Sequence, residues 1–210
     1  MGGDKTPAIS VLTSTFERPH GLLAAMRTLR AQTFQDYEHI IVADRCEMAP
    51  PIVEHERDER TTFVNLAENH NDLGVTPLNE ALKLAKGEWV SVLADDNQIR
   101  PRHLERLYAE TQKDPDVRFV WGCCEVRHKA GRQNGFPQFR DEPWLHWRGV
   151  DLGECLYHRS LFEKYGPWEY NRNYSFDWEK IQQIFLGGEK CVHVEDCYTF
   201  IFYVDDSSLI

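Results

Sequence analysis

The chain has 210 residues, of which 41% are hydrophobic, 12% aromatic and 28% charged, the composition of a globular domain with a hydrophobic core of its own. A formal net charge of −10 argues against general binding to nucleic acid, because such binding depends on a dense field of Lys and Arg side chains. No apolar run reaches the roughly 20 residues needed to cross a bilayer, and the first residues lack the pattern of a secretory signal.

Strand and helix patterns alternate through the first half of the chain. Five apolar runs rich in β-forming residues predict strands, over 8–14, 38–44, 61–66, 88–96 and 117–126. Helices are predicted where apolar residues recur at helical spacing after a proline that suits the first turn, from Pro19, Pro77 and Pro101. This alternation predicts an α/β fold, with a mostly parallel sheet and helices on both of its faces.

The second half of the chain has a different character. Residues 127–149 are rich in Gly, Pro, basic and aromatic residues and have no periodicity, which predicts a long loop. We expect this basic loop to close over a bound ligand, and recognition of an anionic acceptor is the alternative. A strand–helix pattern over 154–166, a helix ending at Gly187 and one or two strands over 191–206 follow. Because no repeat or linker divides the chain, we predict a single domain over 1–210.

The tail carries Cys191, His193 and Glu195 at alternate positions, which places them on one face of a strand. A zinc site also needs ligands that converge from another segment, so we favour a strand with a partly buried face. The six cysteines show no C-x-x-C spacing. In the absence of a secretory signal, we expect them to be reduced thiols of a cytoplasmic protein.

Polar side chains follow three of the predicted strands at the points where those strands end. The three clusters cover 13–18, 44–47 and 95–97. The carboxyl ends of parallel strands meet at one edge of a sheet, and ligands of open α/β sheets bind there. We therefore predict a single binding site built from the three clusters.

Asp95 and Asp96 are consecutive in the chain, and their two negatively charged carboxylates repel each other. At a spacing of roughly 5 Å and an effective dielectric of about 20, their repulsion is about 3 kcal/mol. A turn open to water that caps the following helix is one explanation. The other is a hard divalent cation held by one or two carboxylates and by the phosphates of a substrate.

Several segments, taken in order, carry a family resemblance. They are ISVLTSTFERP, QTFQDYEHIIVAD, LNEALKLAKGEWVSVLADDN and GECLYHRSLFEKYG, followed by FDW. From Ile9 to Gly188 the chain resembles the inverting family 2 glycosyltransferases of the GT-A fold, a single-domain Rossmann-like α/β fold that uses nucleotide-sugars. The resemblance implies a nucleotide-sugar-binding half over about 1–100. It also implies a half over about 101–210 that binds the acceptor and carries the catalytic base.

The resemblance implies roles for the residues on the donor side. Asp96 matches the aspartate that holds a divalent cation, Mn or Mg, on the donor diphosphate, and Asp95 matches a position that reaches the ribose. Asp44 matches the aspartate that reads the base, commonly uracil, so a UDP-sugar is the expected donor. The resemblance implies that the nucleoside is lined by Thr13, Thr15 and Glu17.

On the acceptor side, Asp177 matches the catalytic base, which takes the proton of a hydroxyl on a glycan, a lipid-linked sugar or a small molecule. Its position in the first turn of a predicted helix favours the ionised carboxylate. A carboxylate of that kind is a weak base, so its positioning must supply much of the catalysis. Glu179 is the second candidate for the base.

Four residues depart from the family's pattern, namely Ala43, Leu78, Ala94 and Phe176. They leave a catalytically inactive nucleotide-binding scaffold as an alternative, but the retention of Asp96 and Asp177 favours an active transferase. A glycosyltransferase that acts on an anionic acceptor, such as a modified nucleic acid, is a further alternative. A sugar-1-phosphate nucleotidyltransferase would carry a Gly-rich loop after the first strand, and STFERPH has none.

Overall fold

The computed structural model describes residues 6–128, 150–172 and 175–204. The strands found in these residues are β1 (Ile9–Thr15), β2 (Tyr37–Ala43), β3 (Thr61–Asn65), β4 (Trp89–Val92), β5 (Gln98–Ile99), β6 (Val117–His128), β7 (Cys155–His158) and β8 (Lys190–Val204). The helices are α1 (Pro19–Arg30), α2 (Ala49–Glu56), α3 (Val75–Leu84), α4 (His103–Thr111), α5 (Ser160–Tyr165) and α6 (Phe176–Leu186). A short 3-10 turn, Leu152–Glu154, precedes β7.

The strands of the described residues form one sheet in the order β3-β2-β1-β4-β7-β6-β8-β5. β3, β2, β1 and β4 are parallel to one another, and so are β6 and β8. β7 runs antiparallel to both of its neighbours, β4 and β6, and β5 runs antiparallel to β8. The predicted α/β fold is confirmed, with the fully parallel part confined to the first four strands of the order and a mixed arrangement beyond them.

Helices cover both faces of the sheet, as predicted. On one face, Leu78 of α3 and Ile181 of α6 belong to the same hydrophobic core as Leu12 of β1. On the other face, Leu29 of α1 and Leu107 of α4 belong to the same hydrophobic core as Val11, and α2 packs beside α1. Successive residues of a strand point to opposite faces, which is why Val11 and Leu12 enter different cores.

The observed elements differ from the predicted ones mainly at their ends. The strand predicted over 88–96 ends at Val92, and α2, with its start APP, is a helix that the pattern does not predict. β6 continues to His128 and so includes the first two residues of the predicted loop. The rest of that loop, 129–149, lies outside the described residues.

The tail forms one long strand, β8, which pairs with β6 through shifts in register around Cys123. The ring of His193 stacks on Trp121, with 5.1 Å between the ring centroids, and its Nε2 lies 3.5 Å from the Cys123 sulfur. The Cys191 sulfur donates to the carbonyl oxygen of Glu189 at 3.3 Å. These are the contacts of a strand with a partly buried face. No helix in the described part of the chain has both the length and the apolar character needed to span a membrane.

Candidate functional site

The carboxyl ends of β2, β1 and β4 lie side by side, and hydrogen bonds join the residues that follow them. The Asp44 amide, just after β2, donates to the carbonyl oxygen of Thr15 at 3.0 Å. The Thr15 hydroxyl, at the end of β1, donates to a carboxylate oxygen of Asp95 at 2.8 Å. Asp95 follows β4, so the three polar clusters found in the sequence meet at one edge of the sheet.

Asp95 is the buried member of the aspartate pair, with only 2% of its surface exposed. Its Oδ2 accepts from the Thr15 hydroxyl and from the Phe16 amide, the latter at 3.3 Å. Its Oδ1 accepts from Nη1 of Arg18 at 3.0 Å. Burial raises the pKa of Asp95, while the bonds from Thr15 and Arg18 oppose that rise. Both carboxylate oxygens are thus engaged by the loop that follows β1.

Asp96 is the open member of the pair, with 29% of its side chain exposed. The same Nη1 atom of Arg18 lies 3.1 Å from its Oδ2. The two carboxylates therefore share one guanidinium, which offsets the repulsion that their proximity would otherwise produce. Arg18 is the last residue of the first polar cluster, 13–18, but no pattern in the sequence gives it a role of its own.

The loop after β1 is shaped by its backbone. Glu17 has a positive φ of 52°, which turns the chain into α1 at Pro19. At Gly21, an added Cβ would lie 2.0 Å from the carbonyl oxygen of Asp95. Only glycine allows the first turn of α1 to approach the backbone of the aspartate pair so closely.

A cleft of about 440 Å³ opens between these two segments. One wall is formed by residues 17–21, the other by residues 95–98, and Tyr203 of β8 closes one side. The Tyr203 hydroxyl contacts Oε1 of Gln98 at 3.2 Å. Of the predicted site residues, Glu17, Asp95 and Asp96 line this cleft, and Thr15 holds Asp95 from behind.

Asp44 lies at the β2 end of the same edge, and only 5% of its surface is exposed. Its carboxylate accepts from the His70 amide at 3.1 Å and contacts the His70 ring nitrogen Nδ1 at 2.8 Å. The bond to Asp44 raises the pKa of His70. Because 36% of the His70 side chain is exposed, His70 is the more accessible member of this pair. No motif in the sequence singles out His70.

Thr13 lies inside the sheet rather than on its edge. It has no exposed surface, and its hydroxyl donates to the carbonyl oxygen of Leu93 at 2.7 Å and lies 2.9 Å from Nε2 of His39. Burial lowers the pKa of His39 to about 4, so the imidazole is neutral at physiological pH. Thr13 thus ties β1 to the segment that leads to the aspartate pair. Glu17, in contrast, is exposed at the mouth of the cleft.

Asp177 is half-buried in the first turn of α6. Its Oδ1 accepts from the Trp178 amide at 2.8 Å and from the Ser175 hydroxyl. Its charge contributes to the raised pKa values of Cys155 and Tyr157, for which burial is the main cause. β7, which holds both residues, pairs directly with β4. Asp177 is not among the described residues that line the cleft.

Glu179, the other predicted base, accepts from the Asn171 side-chain amide at 3.2 Å.

The arrangement of carboxylates suits a cation that arrives with a substrate. Across the described residues, no group of three or more His, Cys, Asp or Glu side chains could hold a metal ion by itself. Mg²⁺ sites in nucleotide enzymes typically use one or two carboxylates together with substrate phosphates. The partly exposed Asp96, beside the buried Asp95, fits that donor set.

Two solved structures with the same fold are complexes with nucleotide-sugars. The structure of Staphylococcus aureus TarS 1–349 in complex with UDP-GlcNAc has a TM-score of 0.76 and 19% identity, over 93% of this chain and 58% of that chain. The mannosyltransferase PcManGT of Pyrobaculum calidifontis in complex with GDP-Man and Mn2+ has a TM-score of 0.69 and 17% identity, over 96% and 57% of the two chains.

Two curated relatives are described as glycosyltransferases. An uncharacterised glycosyltransferase of Methanocaldococcus jannaschii is 29% identical over 129 residues, which is 58% of this chain and 43% of that protein. The putative glycosyltransferase EpsH of Bacillus subtilis is 25% identical over 171 residues, which is 76% of this chain and 49% of that protein. The chain thus spans less than half the length of these two relatives. The family model described as "Glycosyl transferase family 2" matches residues 10–166, and the chain belongs to this family.

Proposed function

We propose that this domain transfers a sugar from a nucleoside-diphosphate donor to a hydroxyl acceptor, with inversion at the sugar carbon and with the help of Mn or Mg. One observation carries the proposal: an open carboxylate, Asp96, stands beside a fixed and buried one, Asp95, at the wall of a cleft. A sugar–diphosphate bond can break only if the charge that develops on the leaving diphosphate is stabilised.

The donor diphosphate is assigned to the cleft. Asp96 would hold the divalent cation, which when bound supplies positive charge to the leaving diphosphate. Asp95 accepts hydrogen bonds from Thr15, Phe16 and Arg18. These bonds would hold the loop after β1 and the first turn of α1 in a fixed position relative to Asp96. The neighbour that binds GDP-Man and Mn2+ supports a cation of this kind.

The nucleoside is assigned to the part of the edge that lies beyond β1 and β2, towards Asp44. We propose that Asp44 acts through His70, which it orients and which presents its exposed ring to the base. Thr13 and Thr15 would support this region from inside the sheet, while Glu17 stands at the mouth of the cleft. A uridine nucleotide is the favoured donor, because Asp44 matches the aspartate that the family uses to read the base, commonly uracil. One structural neighbour is in complex with UDP, which is compatible with this choice.

The acceptor side is assigned to α6. The Trp178 amide and the Ser175 hydroxyl fix one oxygen of Asp177, which gives the carboxylate a set orientation. We propose that Asp177 takes the proton of the acceptor hydroxyl from the α6 face, while the donor is held on the α1 face. The transferred sugar would then lie across the end of β4, with residues up to about 100 binding the donor and the later residues binding the acceptor.

Two substitutions test these assignments separately. In thermal-shift measurements, stabilisation of the protein by UDP plus Mn²⁺ should be lost in Asp96→Asn, because that variant cannot hold the cation. Asp177→Asn should keep this stabilisation but lose sugar transfer by a factor of about 100 or more, which is the usual contribution of a positioned base. Glu179→Gln is the matched control and should transfer sugar at nearly the parent rate.

The opposite results would overturn the proposal in parts. An Asp96→Asn protein that responds to UDP plus Mn²⁺ as the parent does would remove the cation from Asp96. Near-normal transfer in Asp177→Asn, with a loss in Glu179→Gln, would move the base to Glu179.

A further inference from the structure

A positively charged side chain, that of Arg18, already contacts both members of the aspartate pair. The Nη1 atom of Arg18 is 3.0 Å from Asp95 Oδ1 and 3.1 Å from Asp96 Oδ2. The Arg18 side chain is 58% exposed and lines the cleft. A guanidinium in this position lies against the carboxylate oxygen that a divalent cation would use.

We propose that Arg18 is a built-in counter-cation that keeps free divalent cations away from Asp96, so that the metal binds only together with the nucleoside diphosphate. The inference rests on the proposed function, which assigns the cation to Asp96, and adds the order in which the ligands bind. Arg18 acts here as a positioning residue for the metal and the diphosphate.

The two contacts of Arg18 differ, and the difference would allow a metal ion to replace Arg18 at Asp96. Asp95 is buried and its other oxygen is held by Thr15 and Phe16, so its contact with Arg18 is the fixed one. Asp96 is open to the cleft, so its contact with Arg18 can be given up. Arg18 can thus release Asp96 while its guanidinium stays anchored on Asp95.

The charges at the site explain why a metal ion should replace Arg18 at Asp96 only when the diphosphate is bound. In the free protein, two carboxylates and one guanidinium leave a net charge of about −1, and an incoming cation is repelled by the guanidinium a few ångströms away. A diphosphate in the cleft adds negative charge and is a natural partner for an Arg side chain. With the diphosphate present, both the metal and Arg18 have anionic partners. Metal and nucleotide should therefore raise each other's affinity by the same factor.

Direct measurement of Mn²⁺ binding tests this role without any activity assay. In electron paramagnetic resonance titrations without nucleotide, the parent protein should bind Mn²⁺ weakly. Arg18→Met should bind it at least tenfold more tightly, because the repelling charge is gone. Arg18→Lys, which keeps the charge, should resemble the parent. Arg102→Met is the matched control, since Arg102 pairs with Glu105 on the surface at 3.0 Å and its loss changes the net charge equally.

The effect of a nucleotide on the affinity for Mn²⁺ is a second test of this role. Addition of UDP should tighten Mn²⁺ binding at least tenfold in the parent and much less in Arg18→Met. If Arg18→Met does not fold, as judged by circular dichroism, Arg18→Gln carries the same prediction. Mn²⁺ binding in the Arg18→Met or Arg18→Gln protein that is no tighter than in the parent would overturn the counter-cation role.

The outcomes also separate this inference from the proposed function. If UDP tightens Mn²⁺ binding equally in the parent and in Arg18→Met, the counter-cation role is wrong and the metal-assisted function stands. If Arg18→Met gains a Mn²⁺ site that Asp96→Asn removes, but UDP changes Mn²⁺ affinity in neither protein, Arg18 does keep free Mn²⁺ away from Asp96. In that case the coupling to the diphosphate and the proposed donor chemistry are both wrong.

Discussion

Two neighbouring aspartates at the end of a strand take different environments in this fold. Asp95 is buried and engaged at both oxygens, whereas Asp96 keeps part of its side chain open to the cleft. A single guanidinium from Arg18 contacts both. This division explains how the pair is stable in the free protein and still has a carboxylate available for a ligand.

The ion pair between His70 and Asp44 should contribute to stability in a way that depends on pH. Because the folded pKa of His70 is raised above 6.5, its stabilising contribution is complete below the unfolded pKa. That contribution is lost as the pH rises through the folded pKa. His70→Gln keeps a hydrogen-bond donor but cannot gain charge. The stability difference between parent and variant, from urea unfolding, should therefore be larger at about pH 5.5 than at about pH 9.

A double-mutant cycle with Asp44 checks the cause of that difference. In an Asp44→Asn background, His70→Gln should change stability by nearly the same amount at both pH values. A pH dependence that survives in this background would mean that the stabilisation of charged His70 does not come from Asp44.

At the scale of elements, the first turn of α1 is fixed against the segment that carries the aspartate pair. The close approach of Gly21 to the Asp95 carbonyl oxygen requires a residue without a Cβ. Since α1 also supplies one wall of the cleft, its position sets the width of the proposed donor site.

Gly21→Ala tests this contact, because the contact decides whether the substitution raises or lowers the free energy of unfolding. In an unconstrained helix interior, the change should gain up to about 1 kcal/mol from helix propensity. Here we expect a loss of about 1–3 kcal/mol in the free energy of unfolding, because a Cβ 2.0 Å from backbone must displace α1 or the aspartate segment. His20→Ala, in the same turn but exposed, is the control and should stay within about 0.5 kcal/mol. A stability gain in Gly21→Ala would show that the contact is not tight.

The order of strands and helices in the first half can be predicted from the sequence, because buried strands and amphipathic helices leave clear periodicities. α2 escapes prediction because APPIVEHE is short and has two prolines in its first turn. The reversed direction of β7 also escapes, because pairing direction depends on connections and not on local pattern. For the same reason the sequence gives no role to Arg18, a member of the first polar cluster, or to His70, since their partners lie 77 and 26 residues away.

At the scale of the whole molecule, the sheet separates the two proposed halves of the reaction. α1, with Arg18 just before it, packs on one face, and α6, with Asp177 in its first turn, packs on the other. β4 lies between them and pairs with β1 on one side and β7 on the other. A donor held from the α1 face and an acceptor activated from the α6 face would meet at the end of this strand.

A crystal structure of the protein with UDP and Mn²⁺, read through the anomalous scattering of manganese, tests this account most directly. We predict one manganese peak within coordination distance of an Asp96 carboxylate oxygen and of the diphosphate. The same structure should show Arg18 still bound to Asp95, and the uracil near His70. A manganese peak away from Asp96, or a nucleotide bound outside the cleft between α1 and the aspartate pair, would contradict the account.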